Sequence, residues 1–98
     1  MEYFNLGLAY MATGHRKLEI NSYLEAIRLY SNYAKAYFNL AIAYDILKDG
    51  EAAIRHAKEA EVLYGKQRKH QQVRKVRRQL NILNEKYKQI PKKFIRRQ

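Results

Sequence analysis

The chain has 98 residues, with 20 lysines and arginines against 9 aspartates and glutamates, and it contains no cysteine. This length allows one small domain with one modest core. The lack of cysteine excludes disulfides, thiolate nucleophiles and cysteine metal sites, and it fits a cytoplasmic location. The most apolar stretch, residues 37–47, contains Asn39 and Asp45 and is too short to cross a bilayer.

The positive charge is concentrated in the last third of the chain. Residues 1–65 hold seven lysines and arginines against eight acidic residues, whereas residues 66–98 hold thirteen against Glu85 alone. The net charge of +11 therefore belongs to residues 66–98. A segment of this kind is suited to phosphates, an anionic membrane surface or an acidic protein.

Apolar residues at helical spacing, separated by short polar breaks, predict five helices. Gly14 breaks the chain after the first helix, and Asp49-Gly50 breaks it after the third. Ser31 is a candidate cap for the third helix, Gly65 is expected just past the end of the fourth, and Pro91 ends the fifth. The predicted spans are about 3–12, 17–30, 35–47, 51–64 and 66–90.

The chain contains an internal repeat of 34 residues. The stretch EYFNLGLAY at residues 2–10 returns as AYFNLAIAY at residues 36–44, and the two copies cover about 1–33 and 34–65. A fixed period of this size is typical of stacked supersecondary units. The first helix of each copy has apolar residues along one face, so this face is expected to be packed. The residues expected to be largely buried are Tyr3, Leu6, Tyr10, Leu40, Tyr44 and Ala60.

This pattern resembles the tetratricopeptide repeat family, in which an aromatic, Leu-Gly, Tyr, Ala, aromatic, Ala and Pro recur over 34 residues. The chain departs from the pattern at Glu19, Ser31, Ala57 and Gly65. The resemblance implies an all-α solenoid of two antiparallel helix pairs, stacked in a right-handed superhelix. The matching residues are Tyr3, Leu6, Gly7, Tyr10, Tyr23 and Ala26 in the first copy, and Tyr37, Leu40, Ala41, Tyr44, Ala53 and Ala60 in the second.

No third copy follows, because Gln71, Arg74 and Lys75 stand where its aromatic, leucine and glycine would fall. The next segment is still helical in pattern and resembles the long helix that caps such arrays. We therefore expect a basic capping helix over 66–90 and a flexible basic tail over 91–98. The apolar stripe of this capping helix consists of Val73, Val76, Leu80, Leu83, Tyr87 and Ile90.

The sequence lacks the residue patterns that are typical of catalytic sites. The three histidines, His15, His56 and His70, lack metal-ligand spacing, and the serines lack a nucleophile context. The glycines form no phosphate loop. We therefore expect a protein that is not an enzyme, with no catalytic residues, no metal and no cofactor.

The resemblance instead implies a protein–protein interaction module whose first helices line a concave groove for a peptide partner. Phe4 and Leu8 replace the lysine and asparagine with which some relatives hold a terminal carboxylate, so that kind of clamp is not expected. Two alternatives stay open: a partner or a second copy covers the groove, or its apolar row is core within one chain. The candidate groove residues are Phe4, Leu8, Met11, Lys35, Phe38, Ile42, Asp45 and Ile46.

A second reading assigns the function to the basic end of the chain, as an electrostatic tether for nucleic acid, an anionic membrane or an acidic protein. The candidate anion-binding residues are Arg74, Lys75, Arg77 and Arg78. A homodimer through the groove or the apolar stripe of 73–90 is also expected. Because no capping residue precedes Glu2, we further expect that the chain is cut from a longer array.

Overall fold

The computed structural model describes residues 2–88, which form five α-helices and no strand. This confirms the all-α class and the number of helices. The helices are α1 (Glu2–Thr13), α2 (Arg16–Leu29), α3 (Ala34–Ile46), α4 (Gly50–Lys66) and α5 (His70–Lys86).

Three of the four turns between consecutive helices have the same backbone conformation and hydrogen bond. After α1, α3 and α4 one residue takes a left-handed backbone conformation: Gly14 at φ 79°, Lys48 at φ 66° and Arg68 at φ 57°. The amide of the residue that follows each of them donates to a tyrosine carbonyl five residues earlier, over 2.9–3.0 Å. These bonds satisfy carbonyls that would otherwise be free at each helix end.

Several predicted boundaries are wrong. Gly65 lies inside α4, because Arg68 supplies the left-handed residue that ends this helix. Gly50 is the first residue of α4, and the carboxylate of Asp49 caps it by accepting from the Ala52 amide at 3.1 Å. Ser31 caps nothing, since Tyr33 precedes α3 and offers no side-chain cap.

The fifth helix is shorter than the predicted span of 66–90. It begins at His70 because Gln67 and Arg68 end α4, and it stops at Lys86, with Tyr87 as its C-terminal cap. Ile90, Pro91 and the predicted tail of 91–98 lie outside the described residues.

Helices that follow one another in the chain pack on one another. Each of α1, α2, α3 and α4 makes extensive contact with the next helix, and the α3–α4 pair is the most extensive. One core cluster joins α1, α2 and α3, and its buried members are Phe4, Ile20, Tyr23, Ala26, Ala36, Leu40 and Ala43. The other joins α3, α4 and α5, and includes Ala41, Ala53, Ala57, Ala60, Leu63, Val73, Val76, Leu80 and Leu83.

The first four members of the apolar stripe of α5 are buried, as predicted, and Tyr87 is half-buried. Val73, Val76, Leu80 and Leu83 all belong to the core that α5 shares with α4. Because these side chains are covered within one chain, they are not available for the predicted dimer contact along 73–90. That part of the dimer prediction is wrong.

The predicted burial is found mainly in the second repeat and fails for two residues of the first. Leu40 and Ala60 are fully buried, as expected, while Tyr10 and Tyr44 are half-buried. Tyr3 and Leu6 are exposed, which contradicts the prediction. The reason is that α2 covers the corresponding side of α3, whereas no helix among residues 2–88 lies on that side of α1.

We expect Gly7→Ala to lower the free energy of unfolding by about 1–3 kcal/mol, because the new methyl group overlaps the ring of Tyr23. Tyr23 is fully buried and has no room to move away. The matched control is Gly65→Ala in α4, where an added Cβ meets no atom within 4 Å. This control should raise stability by up to about 1 kcal/mol through helix propensity. Urea unfolding of both variants tests the pair, and equal gains would contradict the tight α1–α2 contact.

Candidate functional site

The predicted groove residues occupy three kinds of environment. Phe4 is 4% exposed and belongs to the core, so its assignment to an open groove is wrong. The centroid of its ring lies 5.6 Å from that of Tyr23 and 5.0 Å from that of Tyr33. Leu8 and Phe38 are half-buried and pack against the two core clusters. The reading that the row is core within one chain therefore holds for Phe4 and in part for these two.

The remaining apolar members of the row are open to solvent. Met11 is 43% exposed on α1, while Ile42 and Ile46 are 40% and 51% exposed on α3. Ile42 and Ile46 lie one helical turn apart and therefore share a face of α3. The other sides of α3 contact α2 and α4, so among residues 2–88 no helix packs extensively on this face.

Two lysine ammonium groups lie over the two phenylalanine rings of the predicted groove. Lys35 of α3 is 5.8 Å from the ring centroid of Phe4, and Lys75 of α5 is 5.3 Å from that of Phe38. Each contact contributes on the order of 0.5–1 kcal/mol at an exposed site. Both lysines are themselves exposed, so their charges remain accessible at the edge of the apolar row.

A hollow of about 260 Å³ lies beside this row, between α3, α4 and α5. A second hollow of about 310 Å³ adjoins it and shares three lining residues with it. Lysine is the only charged residue type in either lining, and no acidic side chain takes part. The first hollow is lined by Lys35, Phe38, Asn39, Tyr64, Gln72, Lys75 and Val76.

Asp45 is engaged within its own chain and not free for a ligand. The Tyr87 hydroxyl donates to its carboxylate at 2.7 Å, and the Lys86 ammonium pairs with the same oxygen at 2.9 Å. The ring of Tyr87 packs on Gly50, where any Cβ would overlap it. These contacts fix the end of α5 against α3 and the start of α4.

This contact moves the pKa of both partners. The hydrogen bond to Asp45, followed by burial, raises the pKa of Tyr87 to about 12. For Asp45, burial alone would raise the pKa, but the hydrogen bonds from Tyr87 and Lys86 outweigh it, and the pKa falls below 3.8.

The four candidate anion-binding residues all lie on the exposed side of α5, off its apolar stripe. Arg77 pairs with Glu61 of α4 at 2.7 Å, and Lys75 lies over Phe38 as described. Arg74, Lys75 and Arg78 line an open hollow of about 390 Å³ together with Gln71 and Gln72. The structure therefore brings three of the four cations to one surface.

Within residues 2–88 no group of three or more histidine or acidic side chains is placed to hold a metal ion. His56 is buried, its ring stacks on Tyr44 at 5.1 Å, and its Nδ1 lies 2.7 Å from the Ala52 carbonyl oxygen. A histidine held in this way has a packing role in α4. No helix of the described range is long and apolar enough to cross a membrane.

The sequence pattern missed Lys86 and the hydroxyl of Tyr87 as partners of Asp45. These contacts join α3 to the end of α5 across 42 residues of chain, a separation at which helical periodicity carries no information. Gly50 is the one local signal, because a glycine at the start of a helix allows a ring to lie directly on the backbone.

Over residues 2–88 the geometry defines five sequentially packed α-helices, with exposed apolar side chains on one face of α3 that lysines border. The chain belongs to the family described as a domain of unknown function (DUF6340), whose family model matches residues 12–85. No curated protein matches the chain at a significant level.

We expect the Asp45–Tyr87 bond to stabilise the fold between about pH 4 and pH 10 and to weaken on both sides. Tyr87 has a raised pKa, so its contribution is complete below the unfolded value of 10.0 and is lost as the pH rises towards 12. Asp45 has a lowered pKa, so its contribution is present above 3.8 and is lost as the pH falls through the lowered value.

The variant Tyr87→Phe tests this expectation, since it keeps the ring on Gly50 and removes only the hydroxyl. Urea unfolding of both proteins should show the largest difference near pH 7 and smaller differences near pH 3 and pH 11. Comparison with the variant removes the alkaline contribution of Tyr23, whose pKa burial raises to about 12. A difference independent of pH would contradict the bond.

Proposed function

We propose that this chain is a non-catalytic protein–protein interaction module that binds an amphipathic helical segment along the uncovered face of α3. The observation that carries the proposal is the exposure of Ile42 and Ile46 on a helix that is otherwise enclosed by its neighbours. Two partly exposed isoleucines on one helix face form an apolar surface. A partner that covers this surface removes it from water, which favours binding.

The resemblance to the tetratricopeptide repeat supports the same function. In support of it, the helices pack in chain order, and residues 34 positions apart end α1 and α3 with the same left-handed turn. In such an array the face of α3 that carries Ile42 and Ile46 belongs to a concave groove, with α1 and α5 on either side. Leu8 and Met11 extend the apolar row onto α1.

The lysines beside the row specify which amphipathic segment is favoured. Lys35 and Lys75 place two accessible positive charges at the edge of the apolar surface, and Asp45 is already neutralised by Lys86. A partner helix with leucine-like residues on one side and acidic residues on its flanks meets both features. A basic partner would face uncompensated like charges.

The double variant Ile42→Lys, Ile46→Lys should weaken binding of such a segment by at least about tenfold, because it places two charges in the apolar contact. The probe is a labelled peptide of about 20 residues, an amphipathic helix with leucines on one face and glutamates on the other. Fluorescence polarisation measures its affinity, and a peptide of the same composition in scrambled order controls for charge.

Leu18→Lys is the control variant, because Leu18 is 45% exposed on α2 and belongs to neither core cluster. It should leave the affinity for the peptide within about twofold of that of the unchanged protein. Equal binding of the ordered and scrambled peptides would contradict recognition of a helix. An unaffected double variant would exclude the α3 face.

A second candidate function is the electrostatic tether, which the open cationic surface of α5 favours. Arg74, Lys75 and Arg78 surround one hollow, and its lining includes no acidic residue. Binding of this kind loses affinity steeply with salt, because it releases counterions from a phosphate backbone, whereas binding to the apolar face changes little.

We expect Arg74→Glu, Arg78→Glu to leave far-UV helicity unchanged, since both side chains are exposed and lie off the apolar stripe of α5. If the tether operates, the same variant loses most of its affinity for a short DNA duplex at about 50 mM salt. The control Arg55→Glu, Lys58→Glu makes the same charge change on α4 and should retain binding. Equal loss in both variants would mean that only net charge matters.

A further inference from the structure

Because of the repeat, the same helix face occurs twice in the chain, once on α1 and once on α3, and the burial of the two copies can be compared. Leu6 and Leu40 are equivalent residues, 34 positions apart, yet Leu6 is 42% exposed and Leu40 is 0% exposed. Ala9 and Ala43 differ in the same way, since Ala9 is exposed and Ala43 is fully buried. The sequence of this face is nearly the same in both copies, and only its neighbours differ.

In the second copy a helix covers the face. Leu40 and Ala43 share one core cluster with Ile20, Tyr23 and Ala26 of α2, which packs on α3. Beside α1 the corresponding place is empty within the described chain, because α2 alone makes extensive contact with α1 and does so from the other side. The face on α1 is thus a surface of core composition without its cover.

The open surface continues onto the end of α2. Tyr3 of α1 and Leu29 and Tyr30 of the α2 end line one small hollow, and all three are 40–49% exposed. Their equivalents near the end of α4, Leu63 and Tyr64, are 8% exposed. We define the α1 face as Tyr3, Leu6, Ala9 and Tyr10 together with Leu29 and Tyr30.

We propose that the α1 face is a self-association surface, on which a second copy of this chain docks about a two-fold axis. A two-fold contact hides the same apolar patch on both copies and closes without further growth. The occupant is a second copy because of how charge is distributed along the chain.

Residues 1–15 contain one side chain that is charged at neutral pH, Glu2, whereas residues 66–88 carry nine lysines and arginines against Glu85. The helices pack in the order α1 to α5, so the cationic helix and the α1 face belong to opposite ends of the packing order. Contact through α1 keeps the two cationic ends apart, and contact through α5 would bring them together.

The size of the face predicts a weak dimer. A helix of 12 residues is about 18 Å long, so α1 and the end of α2 offer on the order of 400 Å² per copy, about half of a standard interface. Because so small an area is buried, we expect weak association, with a dissociation constant between about 10 µM and 1 mM. This interface differs from the groove and from the stripe of 73–90, where the sequence placed the dimer.

Sedimentation equilibrium of the full chain from about 10 µM to 1 mM tests the proposal. The unchanged protein should dimerise within this range. Leu6→Lys should weaken the dimer by more than about tenfold, because a two-fold axis places the substitution in the interface twice. Far-UV circular dichroism checks that the variant folds, which is expected since Leu6 is exposed.

Ile42→Lys is the matched control, because Ile42 is 40% exposed and lies on the α3 face. It should leave the dimer constant within about twofold while disturbing the proposed peptide site. This contrast keeps the proposal independent of the proposed function. A chain that stays monomeric to about 1 mM would overturn it, and so would a dimer that Ile42→Lys weakens and Leu6→Lys does not.

Discussion

The close approach of α3 and α4 is the constraint on which the rest of the structure depends. Alanines at the contact let the two helix backbones come near each other, so that larger side chains fill the spaces around them. The alanines in the core cluster that joins α3 and α4 are almost fully buried, and they are Ala34, Ala41, Ala53, Ala57 and Ala60. In the first pair Gly7 has the same role against Tyr23. A side chain larger than a methyl group at these positions separates the helices and opens the core.

Helices that pack in chain order bury two sides of each inner helix and leave the two end helices with one open side each. The chain treats its two ends differently. On α5 the apolar stripe is buried and the exposed side carries cationic residues, which water solvates well. At α1 the open side still carries Tyr3 and Leu6, which water solvates poorly. Among the described residues, the open side of α5 is therefore cationic, whereas that of α1 is apolar.

The helices were predictable because apolar residues at steps of three and four mark their faces, and the number of helices and the buried stripe of α5 follow from this signal alone. The pattern failed where it depended on neighbours. Tyr3 and Leu6 have the sequence of a packed face, but a sequence does not state whether a helix lies against that face. The end of α4 was misplaced because Arg68, not Gly65, takes the left-handed conformation, which is uncommon for a residue with a side chain.

The candidate site was predictable to a similar degree and for the same reason. Ile42 and Ile46 followed from the resemblance to the tetratricopeptide repeat, which places them on the groove side of the third helix, and both side chains are exposed. The chemistry of the site came from contacts between distant segments. Lys75 reaches Phe38 from α5, and Lys86 with Tyr87 neutralises Asp45. The net effect is a surface whose one acidic member is already satisfied and whose accessible charges are positive. The last described helix, α5, therefore does more than close the core, because Lys75 and Lys86 also set the charge at the α3 face.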